Sequence, residues 1–296
     1  MADTSRFGIT TPILTRNVDR QSWEQAARVE DLAAIVQAAD RLGYHYITCS
    51  EHVGIPGEAE AYRGSRYYDP LATFGYLAAL TTRIHFATYV LVLGYHHPLE
   101  IAKRYGTLDV MSGGRVILGL GVGTLRPEFE LLGLGGVEFT ERGKRGDDAL
   151  RAIRAVWGRR EPEYHGQYYD FGGFIIDPCA PREDVALWIG GRTMRSLQRA
   201  AELGDGWAPF GLSVEQMGKM IAEARASDSW KARKRPLECI LRHDDHLDPI
   251  GAPDRAGELV RQVFAAGATK VNLGFVHKSR AHYIEQLEAL AKLRIE

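Results

Sequence analysis

The residues best placed to do chemistry in this chain are Glu51 and His52. They end the run Leu42-Gly43-Tyr44-His45-Tyr46-Ile47-Thr48-Cys49-Ser50-Glu51-His52. An imidazole at the end of a buried strand can work as a general acid or base near neutral pH. Its bland alternative is a polar residue satisfied within a loop. Because strand residues alternate faces, one of the pair should point inward and the other into the surrounding layer. The inward role goes to His52. Glu51 is then either a substrate or cofactor contact or a buried ion-pair partner.

Two glycine clusters come next. Gly119-Leu120-Gly121-Val122-Gly123-Thr124 resembles a nucleotide loop but does not fit one. The third glycine of a dinucleotide fingerprint is missing: Thr124 stands in that slot counting from Gly119, and Arg126 counting from Gly121. No Walker lysine is present either. The run reads as a strand end where backbone comes close to a flat ligand, or as a simple tight turn. In Trp188-Ile189-Gly190-Gly191-Arg192-Thr193, two glycines lead into a helix start, whose free N–H groups suit an anion. Arg192 adds a charge suited to phosphate; the alternative is a capped turn with a solvent arginine. The group His243-Asp244-Asp245-His246-Asp248 has metal-competent side chains but no metal-site spacing, and reads as a solvated loop. His96-His97 could line a pocket and receives no role. No metal site is assigned.

The elements that must position these residues alternate along the whole chain. Strands are expected at Phe7–Ile9, Tyr46–Ser50, Ile84–Leu93, Arg115–Leu120, Leu187–Ile189, Gly206–Ala208, Leu237–Leu241 and Lys270–Leu273. Helices are expected from about Gln25 to Leu42, Pro70 to Thr81, Pro98 to Met111, Asp147 to Trp157, Thr193 to Leu203, Val214 to Trp230, Asp254 to Ala266, and Arg280 to Leu293. Eight alternations imply an α/β (β/α)8 barrel, one domain over residues 1–296, whose active-site mouth lies at the C-terminal ends of the strands. Two insertions stand out. Gly121 to Gly146 reads as a long glycine-rich loop, a kind of segment that is usually functional. Tyr164 to Phe171 reads as an aromatic hairpin lying over the barrel.

Bulk properties narrow the class. The 296 residues carry a net charge of −1 with no basic stripe, which argues against a nucleic-acid partner. No apolar run is long enough to cross a bilayer. The first residues lack a signal peptide's apolar stretch, and three scattered cysteines form no disulfide framework, so a cytoplasmic location is expected.

Taken as an ordered set, the motifs resemble the bacterial-luciferase-like oxidoreductase family, in particular its branch using the deazaflavin coenzyme F420. The resemblance runs from Phe7 to about Leu293. It rests on Tyr68-Asp69-Pro70-Leu71, Thr81-Thr82-Arg83-Ile84, Ala87-Thr88-Tyr89-Val90, His97-Pro98 with Ala102-Lys103, Leu108-Asp109 with Ser112-Gly113-Gly114-Arg115, Leu118-Gly119-Leu120-Gly121, Ile189-Gly190-Gly191 and Gly204-Asp205-Gly206-Trp207.

The resemblance implies a luciferase-like TIM barrel with a phosphate-bearing isoalloxazine or deazaflavin ring in its mouth. It also implies a non-prolyl cis peptide at Tyr89–Val90. The catalytic histidine of sugar-phosphate and alcohol dehydrogenase members falls on His52, beside an acidic Glu51. Cofactor contacts are expected from Thr88, Tyr89, Val90, Gly123, Thr124, Gly190, Gly191 and Arg192. A glutamate that the sugar-phosphate dehydrogenases use after strand four appears as Thr124, which argues against that substrate class.

The implied activity is hydride transfer between F420 and a small organic substrate, with His52 as proton donor or acceptor. The alternative on the same fold is an FMN-dependent monooxygenase fed with reduced flavin. Either would draw reduced cofactor from a separate F420 or flavin reductase, and family members are commonly homodimers. A metal-dependent hydrolase would need a His-x-His near strand one, where the sequence is Ile9-Thr10-Thr11-Pro12. A non-catalytic cofactor carrier would tolerate loss of His52. Tyr62, Tyr67, Tyr68, Tyr95 and Phe129 hint at an apolar or planar substrate.

Overall fold

Strand β1 is Phe7–Thr10, β2 Tyr46–Cys49, β3 His85–Thr88, β4 Val116–Gly121, β5 Ala186–Gly190, β6 Gly206–Ala208, β7 Glu238–Leu241 and β8 Lys270–Leu273 in the computed structural model, which describes residues 2–14 and 22–295. Each strand pairs in parallel with the next. Gly8 lies opposite Tyr46 on one side and opposite Asn272 on the other, so β8 returns to β1 and the ring closes. Helices follow the strands in turn: α1 Val29–Arg41, α2 Pro70–Ala78, α3 Pro98–Ser112, α4 Arg142–Val156, α5 Met194–Leu203, α6 Val214–Ala224, α7 Pro253–Ala265 and α8 Arg280–Lys292. This is the expected (β/α)8 barrel.

Local chemistry sets the helix ends. Asp69 accepts a hydrogen bond from Ala72 N at 2.8 Å and Pro70 occupies the first turn, which needs no N–H there. His97 and Pro98 start α3 in the same way, and Gly113 ends it in the left-handed region at φ 71°. The period-2 alternation of the strands divides the apolar residues into two layers. Tyr46, Ala87, Ile117, Trp188, Ala208 and Ile240 fill the barrel interior, while Ile47, Phe86, Leu118, Leu187 and Leu241 pack outward against the helices. A Cβ on Gly8 would stand 2.1 Å from the Tyr46 ring, so only glycine fits there.

Four expectations are corrected. Strand three stops at Thr88 rather than Leu93; after a cis Tyr89–Val90 bond, Leu91 and Val92 pair with Leu120 and Gly121 of β4. The stretch Gly121 to Gly146 is not a structureless loop. It holds short helices Arg126–Leu131 and Val137–Thr140, and α4 already begins at Arg142. Its order comes from Phe129 and Phe139, which bury together against Val92. The aromatic hairpin forms, pairing Tyr164 with Phe171. However, Phe171 packs on Ala102 of α3 and on Ala152 and Val156 of α4, so the hairpin lies on the helical layer. Helix α6 ends at Ala224, and Ser227 caps a separate turn of helix, Asp228–Lys231.

Candidate active site

His52 lies three residues past β2, at the mouth. Its Nδ1 is 2.8 Å from Glu128 Oε2. The Glu128 side chain is fully buried, whereas 19% of His52's is exposed. The other carboxylate oxygen, Oε1, accepts from Val53 N at 2.5 Å and Gly54 N at 3.4 Å, and Tyr95 also hydrogen-bonds the carboxylate. Burial alone would raise the Glu128 pKa. The bonds from His52, Tyr95 and Val53 outweigh it, so the carboxyl sits below its ordinary range. An ionised acceptor on Nδ1 leaves Nε2 as the nitrogen free for a substrate. Tyr67 packs edge-on against the imidazole at 4.4 Å.

Glu51 points the other way, as strand alternation requires. It is buried, accepts from Val92 N at 2.6 Å and lies 2.7 Å from His96 Nε2. Burial would lower the His96 pKa; the Glu51 bond and the charges of Glu51 and Glu100 reverse this and raise it. Of the two readings open for Glu51, the structure shows the buried ion-pair partner. Ser50 Oγ donates to Tyr89 O at 2.9 Å and Tyr89 N to Cys49 O at 2.7 Å. The Ser50–Glu51 turn therefore clamps the Tyr89–Val90 segment.

The glycines near the mouth have a reason the sequence reading missed. A Cβ on Gly119 would meet Thr88 O at 1.8 Å; on Gly121 or Gly190 it would meet a Val90 methyl at 2.6 Å. These positions make room for the end of β3 and for Val90 just beyond it. Gly123 combines φ 76° with pressure from Phe129 and Val92. Thr88 is fully buried and donates to Gly119 O at 2.7 Å, so its side chain supports the clamp instead of reaching the mouth. Thr124 is exposed. The acid that meets His52 after β4 is Glu128, four residues beyond Thr124. Past β5, Gly191 (φ 131°) and Arg192 precede Thr193, which caps α5 in a reciprocal box with Ser196. Arg192 is exposed, 5.9 Å from the Phe210 ring.

Sequence reading also missed the far wall. Ile240 faces inward and Leu241 outward, so Arg242 faces the mouth, where its charge acts on Tyr89. Thr10 Oγ1 and Asn272 Oδ1, from β1 and β8, are buried without hydrogen-bond partners among the described residues. The 243–248 group is absorbed locally: Asp245 pairs with Arg255, His246 bonds Phe275 O, and Asp248 bonds Gln286 and Gly251. Among the described residues no three His, Cys, Asp or Glu side chains gather as a metal site. Tyr95 and Phe129 pack on each other, and the side chain of Tyr62 lies outside the described residues. No described helix is long and apolar enough to cross a membrane.

Comparison with known proteins agrees with this fold. A protein of Mycobacterium tuberculosis (strain ATCC 25618 / H37Rv), itself uncharacterized, is 29% identical over 253 residues, covering 81% of this chain and 83% of its own. The F420-dependent tetrahydromethanopterin reductase of Methanopyrus kandleri shares the fold, with TM-score 0.70, 16% identity and 97% of each chain covered. So does the oxygenating constituent of 3,6-diketocamphane monooxygenase of Pseudomonas putida, solved with FMN, with TM-score 0.73, 15% identity and 97% of each chain covered. The model of the luciferase-like monooxygenase family matches residues 6–243, and the chain belongs to that family.

Proposed function

We propose that the protein is an F420-dependent oxidoreductase acting on a small organic substrate, with His52 as the proton donor or acceptor. The observation that carries this is the His52–Glu128 pair at the mouth. Glu128 fixes the imidazole through Nδ1, while Nε2 stays available to a substrate hydroxyl or carbonyl. The deazaflavin ring supplies the hydride chemistry when bound. The mouth suits a flat ring with a polar edge. Tyr89–Val90 offers an apolar floor, while Thr10 Oγ1 and Asn272 Oδ1, which have no partner among the described residues, and the Arg242 charge would meet carbonyl and N–H groups at the ring edge. Gly191 and Arg192 ahead of α5 would hold the phosphate. Glu51 would act only through the clamp on the ring floor. Because a carboxylate does meet His52 after β4, the Thr124 departure no longer argues against sugar-phosphate substrates.

The FMN-dependent monooxygenase reading is favoured by the FMN-bound relative of the same fold. Equilibrium titration of the apo protein with F420 and FMN, oxidised and reduced, separates the two. Micromolar F420 binding with much weaker FMN binding is expected. A preference for FMN moves the protein to the oxygen-using reading, and binding of neither sinks both.

A further inference from the structure

Beside the mouth, on the flank formed by the 93–97 turn, the start of α4 and the hairpin, lies a half-open cavity of about 240 Å³. His96 borders it while binding Glu51 through Nε2. Tyr95 and Tyr169 form aromatic walls, Leu134 adds apolar surface, and Arg142 and Arg145 supply two cations.

The arginines differ in what they already do. Arg142 donates from Nε to Gly123 O at 3.0 Å and from Nη1 to Phe139 O at 2.8 Å, and its plane lies over Phe139. It is a strut of the 121–142 segment. Arg145 forms no ion pair among the described residues. Its Nε is buried without an acceptor, and its guanidinium lies 4.9 Å from the Tyr168 ring centre. Of the nearby acids, Asp147 pairs with Arg195 and Arg199, Asp148 bonds Tyr164 and the backbone N–H groups of Tyr168 and Tyr169, and Glu141 bonds Tyr168, the ring on which Arg145 packs. Glu138 is the carboxylate among the lining residues, and it forms no described ion pair.

Arg145 lines the cavity, and with Nε closed off from solvent it is the outer Nη groups of the guanidinium that an anion would meet. A carboxylate matches its fork of donors. A cavity of about 150 Å³ holds a benzene ring, so this one has room for a ring and its acid group. We propose that the cavity binds a small aromatic carboxylate at a site separate from the ring site in the mouth, with Arg145 as its anchor.

The test is calorimetric titration of the full chain with benzoate, alone and saturated with whichever of F420 or FMN it binds. Benzoate should bind both forms. Arg145→Met should weaken it roughly tenfold or more and leave cofactor affinity unchanged, and Arg145→Lys should recover part of the loss. Circular dichroism checks that both variants fold. Three results overturn the site: no saturable benzoate binding, equal affinity in wild type and Arg145→Met, or competition between benzoate and cofactor. Because the apo titration needs no cofactor, its outcome is independent of the reading of the mouth.

Discussion

Strand β2 is flanked by histidines at both ends, and the two ends use them in opposite ways. Below the strand, His45 stacks on His85 with ring centroids 4.6 Å apart, and neither forms an ion pair with a carboxylate among the described residues. Burial, helped by the charges of His85 and Lys270, pushes His45 down to about 3. Burial lowers His85 as well. Above the strand, His52 meets buried Glu128 and His96 meets buried Glu51. There the carboxylate outweighs burial and His96 is raised. All four rings are partly buried, so burial alone does not separate the ends. At His96 the close Glu51 carboxylate reverses the effect of burial, whereas at His45 and His85 burial prevails.

The sharpest way to break this comparison is to remove the rings in turn. His52→Ala should lower kcat by about 10²–10⁴-fold, with cofactor affinity kept. Unchanged turnover would leave the mouth a binding site only. Glu128→Gln should cost less, roughly 10–100-fold, the range for groups that orient a metal-bound imidazole. His45→Phe should leave turnover near wild type, which steady-state kinetics on all three variants would show.

The two ends should also differ in the sign of their pH dependence. His45 has a folded value of about 3 against 6.5 unfolded, so between these the unfolded chain binds more protons. Its contribution is present above 6.5 and lost as the pH falls. His277, lowered by burial to about 4, acts the same way. His96 is raised, so its contribution is complete below 6.5 and lost as pH rises through its folded value. Urea unfolding across roughly pH 5 to 8 should therefore show a flatter acid side in His45→Phe and a flatter alkaline side in His96→Gln. The same slopes in wild type and both variants would erase the distinction. The smallest effect belongs to the support under the mouth. Thr88→Val loses the bond to Gly119 O, and denaturant titration should read about 1–3 kcal/mol of lost stability.

Most of the barrel was legible in the sequence because each strand is a short apolar run and each helix an amphipathic one. Local residues such as Asp69-Pro70, His97-Pro98 and Gly113 mark helix ends wherever they fold. His52 was legible because a titratable residue just past a buried strand must lie at the mouth. Glu128 was not. Its bond to His52 spans 76 residues, and the glycines around it made the segment look like an open loop. Phe129, next to it, was the available signal, since a buried aromatic turns such a segment into ordered structure. The cause of the glycines was equally hidden. Gly119, Gly121 and Gly190 are small because Thr88 and Val90 press on them from a neighbouring strand, a contact that no spacing records.

By itself, then, the sequence determined the order of strands and helices and which strand ends face the mouth, since both depend on local periodicity and chain direction. Only the tertiary structure decided which carboxylate meets which histidine, and that Arg145 forms no ion pair among the described residues while lining a cavity. Those facts depend on distances between side chains far apart in the chain, and closing the barrel is what sets them.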